Sequence, residues 1–183
     1  MQENPTKALI ELPRSFKVIH FTTVLLFIIL LFTGAILYIS PLEALVGNRT
    51  FVAYLHVASG VMIFVPFGLS LTNLESRPAL AGVYKELSRW SPDDGTGLLS
   101  VPRKGKRFNG GQKLMANALL GSLMVLLLTG LVMASYIPLS ISMRQGATFT
   151  HDLVAFLVTA LFMGHLFAAL AHPRALRSVF RLR

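Results

Sequence analysis

Four apolar runs, at residues 18–39, 51–71, 114–137 and 153–171, decide what this chain can become. Each reaches the roughly 20 residues that an α-helix needs to cross a hydrocarbon layer about 30 Å thick. The sequence therefore predicts an all-α integral membrane protein, a bundle of four transmembrane helices forming one domain over residues 1–183. Proline or glycine marks the ends of the runs at Ser40-Pro41, Gly110-Gly111, Pro138 and Pro173, with Asn73 closing the second. The first run exceeds the roughly 7–15 residues of a signal-peptide core, and no small-x-small site follows it, so it is expected to stay in the mature chain.

Charge placement gives the orientation. Of 17 Lys and Arg, all but Arg49 and Arg144 fall before the first run, between the second and third, or after the fourth. The positive-inside rule puts those three segments, and so both termini, in the cytoplasm of a cell with an inner membrane. The formal charge of +9 is then a topology signal with some attraction for anionic membrane lipids, and not a nucleic-acid surface. The long inner loop, residues 73–111, is amphiphilic. Its segment 79–90 is expected to form an interfacial helix that turns Leu80, Val83, Tyr84, Leu87 and Trp90 toward the membrane, or else toward a partner.

The chain is also internally duplicated. Helix 1 reads Leu30-Leu31-Phe32-Thr33-Gly34-Ala35-Ile36-Leu37, and helix 3 reads Leu126-Leu127-Leu128-Thr129-Gly130-Leu131-Val132-Met133. Each leads through a Pro and a short outer loop to a His at the head of the next helix: Gly34 to His56 is 22 residues, Gly130 to His151 is 21. Two similar hairpins result. Gly34, Gly60, Gly121 and Gly130 allow close approach of another backbone or of a flat ligand.

Four of the five histidines, His20, His56, His151 and His165, lie within or at the edge of an apolar run. A lone one needs only a hydrogen bond to a neighbouring helix. Four together need more, because burying an unpaired polar group costs roughly 2–7 kcal/mol whereas an interhelical polar contact in a membrane averages about 0.6 kcal/mol. Helix direction places His20 and His165 at an inner level and His56 and His151 at an outer one. On helix 4 the two are 14 residues apart, about 21 Å along the axis and within about 40° of the same face. Two imidazole pairs at two depths suit axial ligation of two non-covalent b haems, since the chain has no cysteine for a thiolate site, a Cys-ligated cluster or a c-type attachment. The rival class is a transporter that uses these histidines for protons or a metal ion. Transporters favour inverted repeats and broken helices, whereas these hairpins repeat in one orientation, with Pro66 as the single internal break.

With these residues in place, the chain resembles the cytochrome b (gamma) subunit of membrane-bound formate dehydrogenases and the related subunits of nickel-iron hydrogenases and thiosulfate reductases. The resemblance runs nearly the whole length. It is carried by residues 14–20 leading to His20, by His56, by Arg107-Phe108-Asn109-Gly110-Gly111-Gln112-Lys113, by Leu128-Thr129-Gly130-Leu131-Val132, and by His151 with His165. It implies an outer haem held by His56 and His151, an inner haem held by His20 and His165, and a quinone site (menaquinone or ubiquinone) at Asn109, Gly111, Gln112 and His165. It further implies an iron-sulfur subunit as electron donor and a catalytic dehydrogenase subunit beyond it. This chain would then transfer electrons and reduce quinone without touching the primary substrate. Hydrogenase, thiosulfate or polysulfide reductase partners are the family-level alternatives. The 73–106 loop does not follow the resemblance closely. By residue chemistry alone, Asn109 and Gln112 serve either a quinone carbonyl or a plain helix cap. Asp152, beside His151, is either an acceptor for that imidazole or a solvated carboxylate at a helix start, and His172 is assigned to the interfacial tail.

Overall fold

A computed structural model describes residues 12–72, 77–96, 106–134, 138–171 and 176. Asn73, Pro173, His172 and the expected end of helix 3 at Ile137 lie outside the described residues. Within them all regular structure is helical: α1 (Arg14–Tyr38), α2 (Ser40–Val46), α3 (Arg49–Met62), α4 (Val65–Leu71), α5 (Pro78–Ser88), α6 (Pro92–Thr96), α7 (Gly110–Met133) and α8 (Ile141–Ala171). Four spans are long and apolar enough to cross a membrane: α1, α3 continued by α4, α7 and α8. Leu25, Phe32, Phe51, Leu128 and Phe167 are exposed on these spans, as side chains that face lipid must be.

All four spans begin earlier than hydropathy indicates, and for α7 and α8 the local hydrogen bonds show why. α7 starts at Gly110, four residues ahead of the apolar run, because Asn109 and Gln112 cap it reciprocally. The Gln112 N–H donates to Asn109 Oδ1 at 2.8 Å, and the Asn109 N–H donates to Gln112 Oε1 at 3.0 Å. α8 starts at Ile141, twelve residues before the expected 153. Its polar first turn is capped by Ser140, whose Oγ accepts the Met143 N–H at 3.3 Å, and further along the Thr148 and Thr150 hydroxyls are satisfied on the carbonyls of Arg144 and Gly146. The second span is divided at Ile63–Phe64. Pro66, near the start of α4, has no N–H to give and its ring opposes the carbonyl four residues back. In the outer loop, α2 ends at Gly47, whose φ of 68° is left-handed, and Glu43 pairs with Arg49.

The chain separates into two compact units: one of Met1–Lys17, Leu74–Gly121 and Leu161–Arg183, the other of Val18–Asn73 and Ser122–Ala160. In the second unit Phe27, Val52, Ile63, Leu123 and Val158 are buried, and Tyr38 sets its ring edge-on to Phe156, centroids 5.5 Å apart. In the first unit α5 corrects the expectation of a membrane-facing interfacial helix. Leu80 and Val83 are completely buried within the protein, while Trp90 lies past the helix end and is exposed. The chain itself covers the Leu80 and Val83 part of the expected face, while Tyr84 and Leu87 are only half-buried.

Candidate functional site

In the second unit two histidines are seated in the same way by the two halves of the repeat. His56 of α3 meets Thr33 and Gly34 of α1, with Nδ1 at 2.8 Å from Thr33 Oγ1. His151 of α8 meets Thr129 and Gly130 of α7, with Nδ1 at 2.9 Å from Thr129 Oγ1. Each threonine also bonds its own helix, Thr33 to the Ile29 carbonyl and Thr129 to the Val125 carbonyl, both at 2.7 Å. Each following glycine faces the imidazole: a Cβ built on Gly34 would lie 3.3 Å from His56 Cε1, and one on Gly130 would lie 3.4 Å from His151 Cε1. The rings converge, their centroids 6.3 Å apart and their planes at 63°.

In the first unit the inner loop is fastened to the head of α7. Asp94 and Lys113 are both buried and paired at 3.0 Å. The same carboxylate oxygen accepts the Ser91 N–H at 2.7 Å and hydroxyl at 2.9 Å, and Lys113 also donates to the Arg89 carbonyl at 3.0 Å. The Ser91 N–H first, and Lys113 second, hold the Asp94 carboxyl well below the usual carboxylate range. Glu86 of α5 receives the backbone N–H groups of Arg107 and Phe108 at 2.7 and 3.0 Å, and Phe16 lies against Phe108. Gly110 opens α7 directly under Asp94, where a Cβ would fall 1.9 Å from the Asp94 carbonyl oxygen.

Over residues 11–181 the chain matches the family model described as prokaryotic cytochrome b561. The chain belongs to the prokaryotic cytochrome b561 family. No curated protein is similar enough in sequence to count as a match. Membership makes it a multi-pass bacterial membrane cytochrome b, a haem b binding protein with an electron-transfer role. The residues at the converging imidazoles fit that group. His56 and His151, two imidazoles whose centroids stand 6.3 Å apart, are the residues that would hold the iron of such a group. Both rings are engaged through Nδ1, which leaves Nε2 for iron. Among the described residues no three His, Cys, Asp or Glu side chains gather into a metal cluster.

The other expected residues fall as follows. His20 lies on α1 in the second unit, edge-on to the neighbouring Phe21 ring, and His165 lies on α8 in the first. Asn109 and Gln112 form the α7 cap, with Gly111 beside them, so both of their side-chain oxygens are used locally. The exposed Gln112 side chain keeps its amide N–H₂. Asp152 is not the acceptor for His151 Nδ1, because adjacent helical residues point apart and Thr129 holds that position. Gly60 meets only the Leu30 side chain at 3.7 Å, and Gly121 meets nothing within 4 Å. The sequence signal for Thr33 and Thr129 is a Thr-Gly pair whose threonine stands 23 residues before His56 and 22 before His151.

Proposed function

We propose that this cytochrome b is the di-haem membrane anchor of a formate dehydrogenase-like respiratory complex in the bacterial inner membrane, linking an iron-sulfur subunit to the quinone pool. The observation that carries the reading is the convergence of His56 and His151 on matching Thr-Gly seats. His56 and His151 hold the outer haem, and His20 and His165 the inner one. When bound, haem b supplies a reversible one-electron iron couple, and two in series supply a path across the bilayer. The chain's own residues do the rest. The histidines fix depth, the apolar spans exclude water, and the Gln112 amide with the N–H groups at the start of α7 donates to a quinone carbonyl beside Gly111 and His165. The cap uses the backbone N–H groups and side-chain oxygens of Asn109 and Gln112, so the side-chain donor toward a quinone carbonyl is the Gln112 amide. The basic inner loop and termini support a cytoplasmic quinone side and an outer donor side.

Quantifying haem against protein in the purified chain tests the reading, with two low-spin b haems per chain as the expected result. One haem, or none, overturns it. Hydrogenase or sulfur-compound reductase complexes would use the same anchor, and the identity of the subunit that co-purifies with the chain separates them.

A further inference from the structure

We propose that Thr33 and Thr129 are positioning residues that fix the tautomer of the two outer imidazoles and tune one shared iron couple, an inference that rests on His56 and His151 holding the same haem. The proton inventory assigns the roles. A threonine hydroxyl has one proton and two lone pairs. At Thr33 that proton is given to the Ile29 carbonyl at 2.7 Å, and at Thr129 to the Val125 carbonyl at 2.7 Å. Only a lone pair remains for the histidine. The contacts of 2.8 and 2.9 Å from Oγ1 to Nδ1 therefore carry the imidazole's proton, with Nδ1–H as donor. A neutral imidazole has a single N–H, so Nε2 is left as the bare nitrogen on both rings.

The bond also acts electronically. A hydroxyl that already donates to a carbonyl is a better acceptor, because hydrogen bonds in a chain polarise one another. Each Nδ1–H bond raises the basicity of its ring's Nε2 and favours ferric over ferrous iron. Because the repeat places one such bond on each side of the pair, both threonines act on one couple in the same direction. Gly34 and Gly130 complete the seat by leaving the Cε1 edge of each ring clear.

Redox titration and low-spin ferric EPR of the purified holoprotein, in Thr33→Val, Thr129→Val and the corresponding Ser variants, test this. Valine keeps the branched shape and removes the acceptor, whereas serine keeps the acceptor. Each Val variant should raise the potential of the same haem by up to about tenfold in its reduction equilibrium, about 59 mV for one electron, and leave the other haem unmoved. Each Ser variant should restore the wild-type value. Loss of one haem in a Val variant with retention in its Ser counterpart is the stronger form of the same result. Unmoved potentials in fully loaded Val variants, or Ser variants that behave like Val, overturn the inference by showing that the hydroxyl does nothing. Shifts in two different haems would instead overturn the shared-haem reading on which it rests.

Discussion

At Gly34 and Gly130 the smallest possible enlargement, one methyl, meets an imidazole. Replacing a helical glycine by alanine ordinarily stabilises a helix by about 0.5–1 kcal/mol. At these two positions the added carbon would stand 3.3 and 3.4 Å from a ring carbon, so the ring must yield by a few tenths of an ångström. If His56 and His151 hold iron as proposed, folding should tolerate that shift and ligation should not. Gly34→Ala and Gly130→Ala should express and fold while altering the low-spin EPR signal of one haem, and Gly68→Ala, with nothing within 4 Å, should leave both signals unchanged. Equal spectra in all three would contradict the seat geometry. A sharper pair is His151→Ala and His165→Ala, expected to remove different haems, as optical titration of each would show. At this scale the meeting of His56 and His151 was legible because an ionisable side chain in an apolar run is conspicuous. The threonines were not, because a hydroxyl in a membrane helix can satisfy itself on its own backbone, and sequence does not reveal a second partner.

Among the elements, the four spans were legible from hydropathy alone, since the bilayer imposes one length on all of them. Their ends were not, because hydropathy marks where lipid begins and not where helical hydrogen bonding stops. The twelve extra residues of α8 and the capped head of α7 are cases of this. The ion pair under the inner loop was hidden for another reason: Asp94 and Lys113 are 19 residues apart, and nothing in a loop's composition states that it folds back. That element is testable. Gly110→Ala would force a Cβ into the Asp94 carbonyl, and Asp94→Asn would strip the buried Lys113 of its counter-charge. Hydrogen exchange of the loop amides should show loss of protection in both at neutral pH. In the wild type, acid should act in the same direction as Asp94→Asn, by neutralising the carboxylate. A carboxylate whose folded pKa lies below its unfolded value of 3.8 contributes fully above that value and is lost as pH falls through the folded one. Loop protection should therefore be flat between about pH 5 and pH 8 and fall only in strong acid. A loss near pH 6 would point to a histidine instead.

For the whole molecule, the distribution of charge and the order of the sites along the helices combine into a direction. With 15 of 17 basic residues on the side of the Asn109 loop, the proposed anchor role would assign quinone reduction and its proton uptake to the cytoplasm and electron delivery to the outside. An electron that crosses from the outer to the inner level then moves charge against the membrane potential, at about 2.3 kcal/mol per 100 mV for full transit. Proteoliposomes with the donor outside should build a potential, positive on the donor side, that slows further turnover. The cap at Asn109 and Gln112 dictates which variant tests the quinone end. Alanine at Asn109 would remove a helix cap worth about 1 kcal/mol together with any quinone donor, and so would confound the two roles. Gln112→Glu keeps an oxygen for the Asn109 N–H and removes the amide donor. It should preserve the fold and leave both haems reducible from the donor side while abolishing the potential. Full turnover in Gln112→Glu would move the quinone away from the head of α7, and electroneutral turnover in the wild type would place donor and quinone on one side of the membrane.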